Sequence, residues 1–379
     1  MWLAFLLLTV FAAWLLQYFL FQKRWHKGLN VRVEFESPSI YEGDTSTLKE
    51  TVTNDKGLPL AAVSVRLSFS RNLEFVNAAK ENSGISDQTY KRDIFALLPK
   101  QQLTRRLPFV GKKRGCYSIM SANISAYDYF FQKGYYRSYP QSTQLYVYPR
   151  PVDVSRIALI SRAISGTMLS QNRLFPDPFE FSGIREYRRE DPMNRINWKA
   201  SARTGDLMVN QFDATTEYSI TILLDLADPY IIKYESLLEE SIRIAASLCS
   251  HLLQKKMPSH VLSNCCVISE EASFNEPLNI KISATSGKIT PLLQALACLD
   301  ISRTMCDMDA LIREKIKTAS TGKIYVVISK NQNAELISAI HELNASGNQV
   351  LWVLPIMSYD MDKKYQDSRI TILPWEVTP

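Results

Sequence analysis

Glycine and histidine are scarce in this chain, and several common catalytic patterns are missing. The 379 residues include 13 glycines and four histidines, and the histidines are scattered. A histidine-based triad or metal centre is therefore disfavoured. There is no G-x-S-x-G, and the stretch SGKIT (286–290) fails as a P-loop because no hydroxyl residue directly follows Lys288. These absences argue against serine hydrolases of the elbow type and against P-loop nucleotide hydrolases.

The net charge and the cysteine pattern argue against further classes of function. The net charge of +6 is small for this length and does not indicate nucleic-acid binding, so no nucleic-acid partner is predicted. The chain has six cysteines and no CxxC, and Cys265 and Cys266 are adjacent, which suits neither an ordinary disulfide nor a zinc knuckle. This pattern is typical of reduced core thiols in a cytosolic domain.

The first segment is a predicted transmembrane helix. Residues 1–22 carry no charged side chain and would span about 33 Å as a helix, enough for a hydrocarbon core of about 30 Å. A cleaved signal peptide is the alternative, but no basic region precedes the run and no small-residue cleavage site follows it. Lys23, Arg24 and Lys27 follow directly and predict a cytoplasmic C-terminal side. We therefore expect a single-pass protein of the cell membrane, in contact with the lipid bilayer, with most of the chain cytoplasmic.

Residues 23–150 are predicted to form a β-rich, sandwich-like domain. Apolar and polar residues alternate in short runs, as at Val31, Val33 and Phe35. Turn signals such as EGD (42–44) separate the runs. Such a domain supplies surfaces, and its sequence shows neither paired acids nor metal-ligand spacing.

Residues 216–379 alternate apolar strands with amphipathic helices, which predicts a mainly parallel, doubly wound α/β domain. Its first strand ends at Asp225 in the run DLADP. In von Willebrand factor A domains, D-x-S-x-S at this place holds a divalent ion. Here Ala227 and Pro229 replace both serines, so Asp225 is a degenerate metal candidate that we expect to cap the following turn. No metal and no cofactor are predicted.

The segment 151–215 is predicted to be a connector that carries a charged signature over 179–212. The signature contains acids and bases in nearly equal number, which argues against phosphate binding. Residues 195–203 are predicted as a short helix and 206–212 as a strand. The candidate structural or docking residues are Glu180, Phe181, Gly183, Arg185, Tyr187, Asp191, Arg195, Trp198, Lys199 and Arg203.

This signature resembles that of the bacterial domain-of-unknown-function 58 family. The resemblance lies in the run E-F-x-G-x-R-x-Y, an aspartate, and R-I-x-W-K-A-x-A-R-x-G-x-L-x-V, followed by a strand that ends in LLD. It implies a membrane-anchored, von Willebrand factor A-like protein associated with MoxR-type AAA+ ATPases, and often with transglutaminase-like membrane proteins. Two features depart from the family: Glu190 stands where a glycine usually precedes the aspartate, and one membrane span is present where many members have two.

Three functions from different classes follow, of which the third, an external adhesion module, would need both the opposite topology and a bound divalent ion. The favoured one is a non-enzymatic, membrane-tethered scaffold or adaptor that docks an AAA+ ATPase, with one face near Asp225 as the docking surface. In that reading Arg185, Arg195 and Trp198 are expected to be buried structural residues rather than partner contacts. The alternative is an enzyme, a hydrolase, whose site is built from carboxylates of residues 180–206.

Overall fold

The computed structural model describes most of the chain in two compact units, Met1–Arg150 and Pro151–Pro379. The described residues are 2–76, 88–129, 131, 133–174, 181–188, 191–212, 220–229, 233–268, 277–283, 288–318, 322–358 and 369–378. The boundary expected at residue 215 does not separate two units, because the second unit begins at Pro151.

The first unit begins with helix α1, Trp2–Arg24. This segment is mostly apolar and contains neither proline nor glycine, so nothing in the sequence interrupts a helix. Over Phe5–Arg24 the helix is long and apolar enough to cross a membrane, by length and composition. The predicted apolar helix is thus confirmed, and it extends two residues beyond residue 22.

A β-rich region follows, as predicted. Its strands are β1 (Leu29–Phe35), β2 (Ser39–Tyr41), β3 (Thr45–Asn54), β4 (Leu60–Ser70), β5 (Leu73–Phe75), β6 (Gln88–Leu97), β7 (Gln102–Gly111), β8 (Gly115–Tyr127) and β9 (Gly134–Tyr148). One sheet has the order β1-β3-β7-β5 and the other the order β2-β9-β8-β4-β6. Pairing is antiparallel except between β2 and β9. Inward side chains such as Val31, Val33 and Leu48 are buried in the core of this unit.

The end of α1 is part of the same core. Phe21 is 1% exposed, and its ring lies 5.7 Å from that of Tyr129 and 5.5 Å from that of Tyr135. Trp25 is also buried, and Lys56 donates a hydrogen bond from Nζ to its carbonyl oxygen. Burial lowers the pKa of Lys56 to about 8. The end of the helix therefore packs in the β-rich core, and a short turn over residues 25–28 leads into β1.

The second unit is built on a mostly parallel sheet. Its elements are α2 (Val154–Leu174), β10 (Phe181–Glu186), α3 (Trp198–Thr204), β11 (Met208–Phe212), β12 (Ile220–Leu224), α4 (Glu235–Gln254), β13 (Ser259–Val267), β14 (Pro277–Ile282), α5 (Thr290–Ala297), β15 (Leu299–Thr304), α6 (Met308–Thr318), β16 (Ile324–Ile328), α7 (Ala334–Ala345), β17 (Gln349–Met357) and β18 (Thr371–Val377). The sheet order is β14-β13-β12-β16-β17-β18, with β15 paired to β13.

The central strands are fully buried. β12 pairs in parallel with both β13 and β16, and every residue of β12 and β16 is buried. Continuous apolar strands of this kind are found where both faces of a sheet are covered. The strand order also brings the C-terminal ends of β13, β12 and β16 side by side, which determines the composition of a buried polar cluster described below.

Helix α2 occupies much of the segment that was expected to be a connector. Ile157, Ile160 and Ile164 recur at helical spacing and are all buried. Lys255 Nζ donates to Ser161 Oγ at 2.8 Å. The guanidinium of Arg156 lies 3.8 Å above the ring of Trp375. Because α2 packs against other elements of the second unit, residues 154–174 belong to that unit rather than to a connector.

Candidate functional site

The signature residues are held by a two-stranded antiparallel sheet. β10 and β11 pair antiparallel, with Ile184 opposite Asn210 and Arg185 opposite Val209. Between these strands the chain forms a 3-10 turn at Met193–Arg195 and then α3. Ile196 forms a bridge to Val209, and both side chains are buried. We call residues 181–188 and 191–212 the signature module.

An ion pair closes the first loop of the module. Arg185 donates from Nη1 to Asp191 Oδ2 at 2.7 Å and from Nη2 to Asp191 Oδ1 at 2.5 Å. The backbone N–H of Arg188 also donates to Asp191 Oδ2, at 2.8 Å. The Arg185 hydrogen bonds, followed by that of Arg188, lower the pKa of Asp191 to about 2. Asp191 is therefore ionised and geometrically fixed at neutral pH.

The contribution of this ion pair should depend on pH in a defined direction. The pKa of Asp191 falls from 3.8 to about 2 on folding, so its stabilisation is fully present well above pH 4 and is lost as the pH falls through about 2. We expect Asp191→Asn to lower the free energy of unfolding at pH 6, and the difference from wild type to shrink at pH 4 and again at pH 3. Chemical denaturation of the protein in detergent measures this free energy of unfolding at each pH. Asp206→Asn, at an exposed aspartate, is the control. A difference that stays constant across this range would contradict the assignment.

Helix α3 begins and ends at identifiable capping residues. Asn197 caps its N-terminus, where Oδ1 accepts from the N–H of Ala200 at 3.0 Å. Asn197 Nδ2 also donates to Asn210 Oδ1 at 2.7 Å, and the N–H of Met208 donates to Ser201 Oγ at 2.8 Å. Gly205 ends the helix with a positive φ of 85°. The helix thus starts three residues later than the predicted 195–203, because the Asn197 side chain caps it there.

The signature side chains differ in exposure. Gly183, Arg185, Tyr187, Asp191 and Arg195 are half-buried, and Lys199 and Arg203 are exposed. The backbone of Phe181 pairs with Phe212, and Glu180 lies outside the described residues.

Trp198 is 68% exposed, which corrects the expectation of a buried structural role. It is the first residue of α3, and no residue of that short helix is buried. Ile184, Met193 and Leu207 are also exposed apolar side chains of the same module. The module thus presents apolar side chains to solvent while its central acid, Asp191, is paired.

Asp225 lies in a closed hydrogen-bond network at the C-terminal end of β12. Its side chain is buried, and Oδ1 accepts from Asn264 Nδ2 at 2.7 Å and from the N–H of Ala227 at 3.1 Å. Oδ2 accepts from Ser329 Oγ at 2.6 Å and from Asn331 Nδ2 at 2.9 Å. These four donors occupy the lone-pair positions of the carboxylate. Asp225 therefore caps its turn and has no acceptor position left for a cation.

A buried ion pair lies next to this network. Lys330 Nζ is 2.8 Å from Asp228 Oδ1, and the two side chains are 4% and 5% exposed. An ammonium held here would repel a divalent cation. We call Asp225, Asn264, Ser329, Asn331 and this ion pair the Asp225 cluster.

The two arrangements differ in what they can do chemically. Across the described part of the chain, no group of three or more His, Cys, Asp or Glu side chains is placed to hold a metal ion. Both oxygens of the Asp225 carboxylate are satisfied by donors from separate parts of the chain, which stabilises this edge of the sheet. The signature module offers exposed apolar and cationic side chains, which suits protein contact better than proton transfer.

Comparison with known proteins supports the resemblance seen in the sequence. Residues 183–257 match the family described as "Protein of unknown function DUF58". The DUF58 match begins at Gly183 and continues through the signature module, β12 and α4. No curated protein matches the chain.

Three solved structures show partial likeness to this chain. The conserved hypothetical protein BatB from Bacteroides thetaiotaomicron is 13% identical, with 38% of this chain and 68% of that chain covered and a TM-score of 0.26. A non-cellulosomal cohesin from Archaeoglobus fulgidus is 14% identical, with 31% and 91% covered and a TM-score of 0.21. A PapD-like domain of human CEP192 is 15% identical, with 32% and 86% covered and a TM-score of 0.20. Likeness at this level carries no functional argument.

Proposed function

We propose that this protein is a non-enzymatic, membrane-anchored scaffold or adaptor that docks a MoxR-type AAA+ ATPase through its signature module. The observation that carries the proposal is the exposure of Trp198 and Met193, at 68% and 70%, on a module whose backbone is fixed by internal pairing. Exposed tryptophan on a rigid support is the kind of side chain that dominates protein–protein binding energy. Lys199 and Arg203 on the same helix favour an acidic rim on the partner.

The proposal moves the docking surface away from Asp225. The four hydrogen bonds to Asp225 leave it buried and saturated, so it offers a partner nothing to bind. Its place at the C-terminal end of a central strand supports a von Willebrand factor A-like assignment for the second unit, with the metal-binding chemistry replaced by amide and hydroxyl donors.

The carboxylate chemistry of the module opposes the hydrolase alternative. A general base works best with a pKa near the working pH. The pKa of Asp191 is about 2, and both of its oxygens accept hydrogen bonds from Arg185. Asp191 is therefore a weak base that is held in place.

The anchor is proposed to be α1, with its N-terminus outside and the rest of the chain in the cytoplasm. Apolar side chains are exposed along the helix, as at Phe5, Leu8 and Phe11, and an apolar surface of this kind requires a lipid environment. Lys23 and Arg24 end the helix and favour the cytoplasmic side. Labelling of a C-terminal tag from outside intact cells would contradict this orientation.

The docking proposal predicts a large effect of one side chain. Protein carrying a C-terminal tag is isolated from native membranes with and without ATP, and its partners are read by mass spectrometry. We expect an AAA+ ATPase whose recovery changes with nucleotide. Trp198→Ala should reduce that recovery about tenfold or more, because an aromatic side chain that becomes buried in an interface contributes about 2 kcal/mol to binding.

Tyr136→Ala is the matched control, since Tyr136 is 75% exposed but belongs to the first unit. It should leave recovery unchanged. If the ATPase is recovered equally well with Trp198→Ala, the docking surface lies elsewhere. If no ATPase is recovered in either nucleotide condition, the adaptor proposal fails and the protein should be screened for turnover.

A further inference from the structure

A cavity of about 480 Å³ opens at the N-terminal ends of the central strands, at the opposite edge of the sheet from the Asp225 cluster. Thr221 of β12, Ser259 of β13 and Tyr325 of β16 line its base, and all three are buried. Cavities of about 300–1,000 Å³ hold small-molecule ligands. The cavity lies within the second unit, and the signature module does not contribute to it.

The charged side chains that line this cavity all carry basic groups. Lys281 comes from β14, Lys315 from the last turn of α6, and Lys323 directly precedes β16, while His260 belongs to β13. No aspartate or glutamate is among the described lining residues. Within the described part of the chain, these three ammonium groups make no ion pair.

The three lysine ammonium groups lie close enough to His260 to act on its ring. Burial lowers the pKa of His260, and the charges of Lys281, Lys315 and Lys323 lower it further. A hydrogen bond of 2.7 Å joins His260 Nε2 to Asn279 Oδ1 and fixes the ring. The imidazole is therefore held in place beside three ammonium groups from separate elements.

A solvated surface patch is the simpler explanation, and two features oppose it. Lys315 and Lys323 are half-buried rather than fully exposed, so water screens their repulsion incompletely. The lining also contains hydroxyl groups, from Thr221 and Tyr325, that can donate hydrogen bonds to anionic oxygens. Uncompensated charges that converge on a concave surface raise the local concentration of an opposite charge.

We propose that this cavity binds a small, soluble, phosphate-bearing anion. The three ammonium groups would face the phosphate oxygens, and the hydroxyl groups of the base would donate to the same oxygens. His260 lies at the wall and becomes a fourth cationic donor when the anion is present. The site is independent of the membrane anchor and of ATPase docking.

Pyrophosphate is the probe, added to the full-length protein in detergent and followed by isothermal titration calorimetry. Controls are orthophosphate, and sodium chloride at matched ionic strength. We expect saturable binding of pyrophosphate that is tighter than that of orthophosphate, and no saturable heat with chloride. Lys323→Gln should weaken binding at least tenfold, whereas Lys233→Gln, which removes an exposed lysine outside the cavity, should leave it unchanged.

His260 provides an independent readout by NMR of its ring protons, assigned with His260→Gln. Its pKa should rise when pyrophosphate binds, because a nearby polyanion favours the imidazolium. Lys281→Gln serves if Lys323→Gln fails to fold, since Lys281 is exposed. The proposal is overturned if chloride at matched ionic strength reproduces the pyrophosphate signal, if the lysine variants bind as wild type does, or if the pKa of His260 does not move.

Discussion

Replacing Asp225 with alanine is expected to destabilise the second unit by about 3 kcal/mol or more. The change removes one acceptor group and leaves four donors without their partner: the amides of Asn264 and Asn331, the hydroxyl of Ser329 and the N–H of Ala227. Each buried donor left unsatisfied costs about 1–3 kcal/mol, and hydrogen bonds to a charged acceptor are stronger than average. Partial relaxation of the cluster reduces the sum of these four costs to about 3 kcal/mol or more.

Hydrogen exchange of the full-length protein in detergent measures this loss. A loss of about 3 kcal/mol accelerates exchange of the slowest amides about 100-fold, because 1.4 kcal/mol corresponds to a factor of ten. The effect should appear at β12 and β16 and be absent from the first unit. Asp206→Ala, at an exposed aspartate of the signature module, is the matched control.

The same experiment tests whether Asp225 binds a divalent cation. Because the donors saturate the carboxylate, added Mg²⁺ should leave the exchange rates of wild-type β12 and β16 amides unchanged. Slower exchange with Mg²⁺ would show that a cation displaces one of these donors, and the closed network would then be wrong. Unchanged exchange in Asp225→Ala would show that the cluster contributes no stability.

Phe21→Ala is expected to destabilise the first unit by about 3–5 kcal/mol, the usual cost of deleting a buried aromatic side chain. Phe21 is 1% exposed and packs against the rings of Tyr129 and Tyr135. Its loss removes that packing and leaves a cavity where α1 enters the β-rich core. Amides of β8 and β9 should exchange at least about 100-fold faster by the same conversion.

Phe19→Ala is the matched control, because Phe19 lies two residues earlier on the same helix and is 58% exposed. It should leave exchange in β8 and β9 within a few-fold of wild type. Equal effects of the two substitutions would mean that α1 contributes to stability only through its overall helicity. No effect of either would mean that the end of the helix does not pack in the core.

Much of the local structure was predictable from periodicity. The uninterrupted apolar run predicted α1, and alternation at Val31, Val33 and Phe35 predicted the β-rich first unit. Helix α2 was equally predictable, since Ile157, Ile160 and Ile164 follow a helical period. The concentration of charge in the following residues led instead to the prediction of a connector.

Side-chain partners were less predictable than elements. Asn264 and Asn331 lie 39 and 106 residues from Asp225, and only the strand order brings them together. The missing serines of DLADP argued against a metal ion. The side chains that bind Asp225 in place of an ion come from other parts of the chain, so the sequence around β12 could not identify them. The exposure of Trp198 was missed because a tryptophan among paired charges was expected to be buried. The Asn197 cap was present in the sequence as an asparagine directly before the helix.

The burial of Phe21 and Trp25 has a mechanical consequence. A flexible tether would let the folded part of the chain move freely and would absorb a pulling force by extending. Here the proposed anchor and the first unit share one hydrophobic core, so a pulling force on the rest of the chain acts on the packing of Phe21 and Trp25 before it reaches the proposed membrane span. The first unit would transmit a force to the proposed anchor without extending. The force that unfolds this unit would then be the largest force that an attached ATP-driven motor could apply.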